Sequence, residues 1–368
     1  MKKVIVSAPG KLMLFGEHAV VYGKPCLVTA IDQRIYVKAE ILEKEEFELQ
    51  APDVQVLSYK KPIGEVGRGD VTRGARFVEM AVRNFLDKIH LKKSPQPPLT
   101  KGEKKASLIK GGHKEVLIRE NYLLSPSLLK RGQGRFIGGI KITTKSDFST
   151  QFGLGSSSAV TVCTIKALSE LFEVKLSKRE IFDVAYKTIL DIQGRGSGFD
   201  VAASVYGGTL YFVTGGKTIE QLAISSLPLI VGYSGVNADT VEILKRVKAS
   251  FAKKGGCLSQ IYNGIEDLVN RAKDALVEKD SQKLGALMNK NQEYLHELGV
   301  SSERLDRMTR AAFDAGAYGA KLSGAGGGDC MIALAAEGKR KDIEEAINKA
   351  GGEIIKVKTN AEGVRVEN

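Results

Sequence analysis

No stretch of this 368-residue chain approaches the roughly 20 consecutive apolar residues that a bilayer-spanning helix needs. The amino terminus, Met-Lys-Lys-Val-Ile-Val, lacks the apolar core of a signal peptide, because Pro9-Gly-Lys11 interrupts it within a few residues. Cysteine is scarce: Cys26, Cys163, Cys257 and Cys330 are scattered without Cys-x-x-Cys spacing. That pattern argues against a zinc site or disulfide framework and points to buried, reduced thiols in a cytoplasmic protein. The phosphate-binding pattern Gly-x-x-x-x-Gly-Lys-Ser/Thr is also missing, which argues against a P-loop nucleotidase.

What remains is ordinary globular composition, 43% hydrophobic and 27% charged, on a chain too long for one growing core. Two packed lobes are expected. The net charge of +12 is unevenly spread: residues 92–134 hold ten Lys/Arg against three Asp/Glu, with four of the nine prolines. Such a segment reads as a surface insertion, and aromatics for base stacking are scarce in it, only Tyr122 being at hand. A nucleic-acid or membrane contact is its minority reading.

Glycine is plentiful, and it gathers where chemistry is expected. Gly153-Leu-Gly-Ser-Ser-Ser-Ala159 opens directly into the apolar run Val160–Leu168. A glycine turn feeding a helix amino terminus offers free N–H groups and the positive end of the helix dipole to an anion. Gly153 and Gly155 permit close backbone approach, while Ser156, Ser157 and Ser158 add hydroxyls for a phosphate or Mg²⁺. Near the start, a strand over 4–8 precedes Pro9-Gly-Lys-Leu-Met-Leu-Phe-Gly-Glu-His-Ala-Val-Val-Tyr-Gly23. Near the end, Gly319-Ala-Lys-Leu-Ser-Gly-Ala-Gly-Gly-Gly-Asp-Cys330 carries five glycines, which suits a loop approaching a ligand better than an element interior.

Hydrophobic periodicity predicts strands over 4–8, 34–42, 136–144, 207–214, 227–233, 328–335 and 353–358. Helices are predicted over 71–90, 157–173, 178–191, 239–253, 258–277, 281–298, 302–316 and 339–349. Without strict alternation this is an α+β pattern rather than a doubly wound sheet. The turn-rich stretch near residue 222 divides it into 1–222, containing the insertion, and 223–368.

The three glycine-rich stretches, in this order, resemble the three signature motifs of the GHMP kinases. The resemblance implies a two-lobed α+β molecule with its active site in the interlobe cleft, using ATP and Mg²⁺ to phosphorylate a small-molecule alcohol. Gly16-Glu-His-Ala-Val-Val-Tyr-Gly23, Gly232–Thr240 and Asn291–Ser301 resemble the mevalonate-kinase branch, whose acceptor is mevalonate. By that resemblance Gly153, Leu154, Gly155, Ser156, Ser157 and Ser158 hold the nucleotide, with Ser157 also at the metal. Gly196-Ser-Gly-Phe-Asp-Val-Ala-Ala203 resembles the segment carrying the catalytic aspartate, which puts that role on Asp200 with Lys11 as its partner. Glu17, His18, Thr240 and Gly326 are expected at the acceptor. The resemblance is compatible with a homodimer and implies neither nucleic acid nor membrane as partner.

Departures from the pattern keep alternatives open. The family's Mg²⁺-ligating glutamate, four residues before a His-Gly pair, aligns with Ile189, and Gln193-Gly194 stands where His-Gly is expected. Asp191 is the nearest acid, though roughly 200° away around a helix. The usual proline-containing lead-in is replaced by Asp147-Phe-Ser-Thr-Gln-Phe152. Gly-Ser-Gly-Phe-Asp and Gly-Gly-Gly-Asp-Cys resemble phosphomevalonate kinases instead, an acceptor that would call for further cations among Arg34, Arg73, Arg76, Arg119, Arg195 and Lys321. A non-catalytic protein binding RNA or a partner through 92–134 is the rival of a different class.

Overall fold

The computed structural model describes residues 2–93, 138–252 and 256–367, so most of the basic segment lies outside the described residues. In chain order the strands are β1 Lys3–Phe15, β2 Pro25–Leu42, β3 Glu46–Ala51, β4 Val56–Pro62, β5 Gly139–Ser146, β6 Thr209–Val213, β7 Thr218–Leu222, β8 Leu229–Tyr233, β9 Ala317–Ser323, β10 Cys330–Ala335, β11 Glu353–Ile355 and β12 Arg365–Glu367. The helices are α1 Arg76–Lys93, α2 Ser156–Leu171, α3 Lys178–Gln193, α4 Phe199–Tyr206, α5 Thr240–Phe251, α6 Cys257–Glu278, α7 Ser281–Glu297, α8 Glu303–Asp314 and α9 Arg340–Lys349.

Eight strands form one mixed sheet, ordered β12-β1-β2-β5-β3-β4, with β6 and then β7 continuing from β2. β2 is long enough to serve two partners in succession: residues 25–29 pair with β6 and residues 35–42 with β5, while β1 runs along its other side. β1 was expected to end at residue 8. It continues to Phe15 because the register shifts at Pro9/Gly10, a bulge that absorbs the residue lacking an N–H. That continuation carries Lys11 into the interior. α2 packs on β1 and β2, flanked by α1, α3 and α4. Its apolar side chains (Ala159, Val162, Cys163, Ile165, Leu168) are essentially fully buried, so the glycine turn is anchored by a helix that cannot shift without opening the core.

The second sheet is antiparallel, ordered β11-β8-β10-β9. α7 and α8 pack on β9, α9 on β8 and β11, and α6 on α7 while also reaching β2 of the first sheet. β9 was read as loop because of its glycine. Gly319 is instead where α7 crosses closely, its α-carbon against the backbone of Gly285. The chain then returns to the first sheet, where β12 pairs with β1. Arg34 fastens that return by donating to Ser7 and to the carbonyls of Glu362 and Gly363. The expected division near 222 falls between β7 of the first sheet and β8 of the second.

Candidate active site

The glycine turn lies where expected. Gly153 (φ 69°) and Gly155 (φ 84°) are both left-handed, and Gly155 caps α2 without any side-chain hydrogen bond to the first turn. The leading N–H groups of a 16-residue helix are therefore left for another acceptor. Ser156 and Ser157 are partly exposed at that end and Ser158 is buried; none of their hydroxyls bonds a described residue. A Cβ on Gly155 would stand 3.0 Å from Cγ of Lys11, and one on Gly153 would stand 2.5 Å from Oδ2 of Asp329. These glycines are thus demanded by close neighbours as well as by φ.

Lys11 holds the turn to β1 twice over. Its backbone N–H donates to the Leu154 carbonyl and its ammonium to the Gly153 carbonyl, both at 2.9 Å. The ammonium also lies 5.4 Å from the centre of the Phe199 ring. Next along the chain is Asp200, in the first turn of α4, a short helix absent from the periodicity reading. α4 is positioned by Gly198 (φ 91°) and by Ser204, whose hydroxyl donates to the Pro9 carbonyl. Loss of water raises the Asp200 carboxyl above the usual aspartate value, with the Lys11 cation opposing the shift. Burial also pushes up the thiol of Cys26 nearby, leaving it an inert apolar group. All four cysteines are free. Three are buried as expected, whereas Cys257 is exposed at the start of α6, where no core contact calls for it.

The second sheet meets β1 through residues 13–18. Ser323 exchanges hydrogen bonds with the backbone of Met13, accepting from its N–H and donating to its carbonyl. Glu17 is fully buried, one carboxylate oxygen paired with Lys321 and the other accepting from Asn291 at 3.2 Å. It was expected to line the acceptor pocket. Both oxygens are taken, by Lys321 of β9 and Asn291 of α7, which ties the segment just after β1 to those two elements. His18, also expected at the acceptor, is buried as well. Its backbone is left-handed (φ 60°) and its Nε2 lies 2.8 Å from the Ala325 carbonyl, so Nε2 carries the hydrogen. Nδ1 is then an acceptor, buried and without a partner. Burial lowers the ring's pKa below the usual histidine value, keeping it neutral, although the Ala325 carbonyl and Glu17 pull the other way.

Other expected site residues fall differently. Gly326 sits in the third glycine loop (φ 81°), its α-carbon against the Val300 carbonyl. Thr240 begins α5, exposed, and its side chain makes no hydrogen bond among the described residues. Asp191 is not directed at the glycine turn: it accepts from Lys187 at 2.5 Å and from Asn84 of α1 at 2.9 Å. Ile189 is buried in the core. The sequence reading missed Asp329, whose carboxylate packs on Gly153. Its signal was present in the third motif, where an acid directly follows three glycines; its backbone φ is 55°.

Comparison with known proteins follows this geometry. The family model described as "GHMP kinases N terminal domain" matches residues 121–208, "GHMP kinases C terminal" matches 272–353, and "Galactokinase galactose-binding signature" matches 1–40. The chain is 35% identical to the mevalonate kinase of Pyrococcus abyssi, over 99% of this chain and 98% of that protein. It is also 35% identical to the mevalonate kinase of Thermococcus sibiricus, with the same shares covered. The crystal structure of Methanococcus jannaschii mevalonate kinase superposes with a TM-score of 0.73 at 26% identity, over 100% and 99% of the two chains.

Proposed function

The chain belongs to the GHMP kinases, and on that premise we propose that it transfers the γ-phosphoryl group of ATP to the primary hydroxyl of mevalonate, giving 5-phosphomevalonate for isoprenoid synthesis. The observation that carries the chemistry is the meeting of Lys11, the Gly153–Ser158 turn and Asp200. The likeness to mevalonate kinases over 99% of the chain supports the acceptor.

Phosphoryl transfer asks a protein mainly for positioning and for charges placed where charge moves. The first-turn N–H groups of α2 suit the triphosphate, with Lys11 both fixing the turn and lending a cation. The acceptor oxygen attacks the γ-phosphorus, the bond from phosphorus to the β,γ-bridging oxygen breaks, and ADP leaves. The hydroxyl proton passes to the Asp200 carboxylate, whose raised pKa makes it a stronger base than a solvated aspartate. The cradle also fits a divalent cation: the Ser157 hydroxyl is uncommitted at its rim, and Mg²⁺ bound there with the nucleotide would neutralise phosphate charge. His18 Nδ1, a buried acceptor with no protein partner, suits a hydroxyl of the acceptor molecule.

Phosphomevalonate is the less favoured acceptor because its extra phosphate needs more cations. Arg34 is spent on the β12 return, Lys321 on Glu17, and Arg195 is exposed and donates to the Val241 carbonyl. Arg73 and Arg76 are exposed and form no ion pair among the described residues, and Arg119 lies outside them. The deciding experiment is ADP release with mevalonate and phosphomevalonate in parallel. Selective turnover of mevalonate is expected, and selective turnover of phosphomevalonate would overturn the acceptor assignment. A cytoplasmic homodimer, with the lobes at 1–222 and 223–368, is the setting this reading implies; sedimentation equilibrium tests the dimer.

A further inference from the structure

We propose that Asp329 supplies the acidic oxygen that holds the divalent cation entering with the nucleotide, the place the sequence pattern assigned to Asp191. This rests on the kinase reading above and names a residue that reading does not use.

Asp329 follows three glycines and is fixed on every side but one. Its N–H donates to the Val236 carbonyl at 2.7 Å, its carbonyl accepts from Ser234 N–H at 2.8 Å, and Oδ1 accepts from Ala238 N–H at 2.9 Å. Three hydrogen bonds to the loop between β8 and α5 hold a non-glycine residue at φ 55°, a conformation that aspartate tolerates better than most. The residue is only 8% exposed. Oδ2 is left over. It has no hydrogen-bond partner among the described residues, and it lies against Gly153, 2.5 Å from where a Cβ there would stand.

A carboxylate at that place needs an explanation. Gly153 opens the turn whose helix end is set up for anions, so a bare negative charge beside it would oppose the triphosphate it is built to receive. Lys11 attracts Asp329 electrostatically, yet the two form no ion pair, because the ammonium is held on the Gly153 carbonyl. A cation between Oδ2 and the phosphates removes the conflict. Mg²⁺ suits this environment, since it is usually held by one or two carboxylates with substrate phosphates and water rather than by a full protein cage. No group of three His, Cys, Asp or Glu side chains able to hold a metal occurs among the described residues, which fits a site completed by the nucleotide. Asp191 is tied elsewhere: its Oδ2 accepts from both Lys187 of its own helix and Asn84 of α1, so although its Oδ1 is left over, the carboxylate is held toward α1.

The test uses Mn²⁺ as a paramagnetic probe and ADP as the nucleotide, so no acceptor is needed. Mn²⁺ affinity is measured by electron paramagnetic resonance in the protein–ADP complex, and ADP affinity by calorimetry in EDTA. Asp329→Asn keeps an acceptor for Ala238 N–H and is expected to weaken Mn²⁺ binding at least tenfold, while metal-free ADP binds as well or better. Asp191→Asn is expected to change neither. Asp329→Glu, which restores the charge on a longer arm, should bind Mn²⁺ more tightly than the Asn variant. Wild-type Mn²⁺ affinity in Asp329→Asn, or equal affinity in the Glu and Asn variants, overturns the assignment. A wild-type chain that binds no ADP would instead overturn the kinase reading on which it rests.

Discussion

Glu17→Gln isolates the junction between the two sheets. The substitution is nearly isosteric and leaves an oxygen for Asn291, so its effect comes from the Lys321 ammonium, fully buried and deprived of its counter-charge. Burial already lowers the Lys321 pKa in the native protein, with Glu17 the group that opposes the shift. Without Glu17 the amine has a cheap escape, which is to lose its proton. At pH 7 that costs about 3.4 pH units at 1.36 kcal/mol each against an ordinary lysine, an upper bound of about 4.6 kcal/mol. This agrees with the roughly 3–5 kcal/mol that breaking a buried pair generally costs.

The same escape fixes the pH dependence. A lysine that folds neutral destabilises the fold below its unfolded pKa, so the penalty shrinks by about 1.4 kcal/mol for each unit of pH increase, to about 2 kcal/mol at pH 9. Lys321→Met added to Glu17→Gln removes the stranded amine and should recover most of the loss. Urea unfolding at pH 7 and pH 9, followed by both circular dichroism and fluorescence, measures this and checks that the two lobes unfold together. A loss below about 1 kcal/mol that does not change with pH, or a double variant no better than the single, would refute the buried-pair argument.

Three other outcomes follow from the site. Asp200→Asn should lower turnover by about 10²–10⁴-fold while retaining ATP binding, the usual scale for removing a general base. The same variant should unfold at higher temperature at neutral pH: a carboxyl whose folded pKa is raised loses stability as pH climbs from the unfolded value through the folded one, and asparagine escapes that loss. Near-normal turnover would remove Asp200 from the mechanism. Gly153→Ala should cost about 1–2 kcal/mol for the left-handed backbone, plus displacement of the Asp329 carboxylate, and Asp329→Ala should relieve only the second part in a double-mutant cycle. Stability should fall on acidification below about pH 6.5, by at most about 1.4 kcal/mol per pH unit from His18, whose folded pKa is lowered; His18→Gln should flatten that slope in thermal scans.

The sequence exposed the parts of this molecule whose physics is local. Helix periodicity placed α2, α3, α5, α6, α7, α8 and α9 to within about two residues, and the glycine turn announced α2 by its own composition. What stayed hidden depends on distant partners. β1 runs through Pro9 only because β2 accommodates a bulge; β4 and β7 are short strands without regular alternation, and β3 alternates over only six residues, Glu46–Ala51, and takes its place from pairing with β4 and β5. Glu17 and Asp329 make the same point at the site. Nothing near residue 17 in the chain shows that residue 321 will neutralise it, and nothing near residue 329 shows that Gly153 will face it. Motif resemblance located both segments, but only the packing distinguishes an acid committed to a lysine from one with a free oxygen.

That distinction also explains where the fold tolerates strain. Of the non-glycine residues with left-handed backbone, Gln55 and Lys279 close helical turns, an ordinary terminal use. His18 and Asp329 are different, because each is left-handed and largely buried with one polar atom that no described residue bonds: Nδ1 in the first, which is itself buried, and Oδ2 in the second. A buried acceptor without a partner, as at His18 Nδ1, is costly unless a group from outside the chain completes it. The two lie on opposite flanks of the third glycine loop, His18 bound to Ala325 at its start and Asp329 at its end. On the proposed reading of the site, the loop from 324 to 329 joins the acceptor side to the nucleotide side. Filling one side should stiffen the loop for the other, so ADP with Mn²⁺ is expected to tighten mevalonate binding, and Asp329→Asn to abolish that gain while leaving binding of mevalonate alone unchanged. Calorimetric titration of mevalonate with and without the metal–nucleotide pair reads the coupling directly; equal affinities in the wild-type chain would sink the idea that the loop links the two sides.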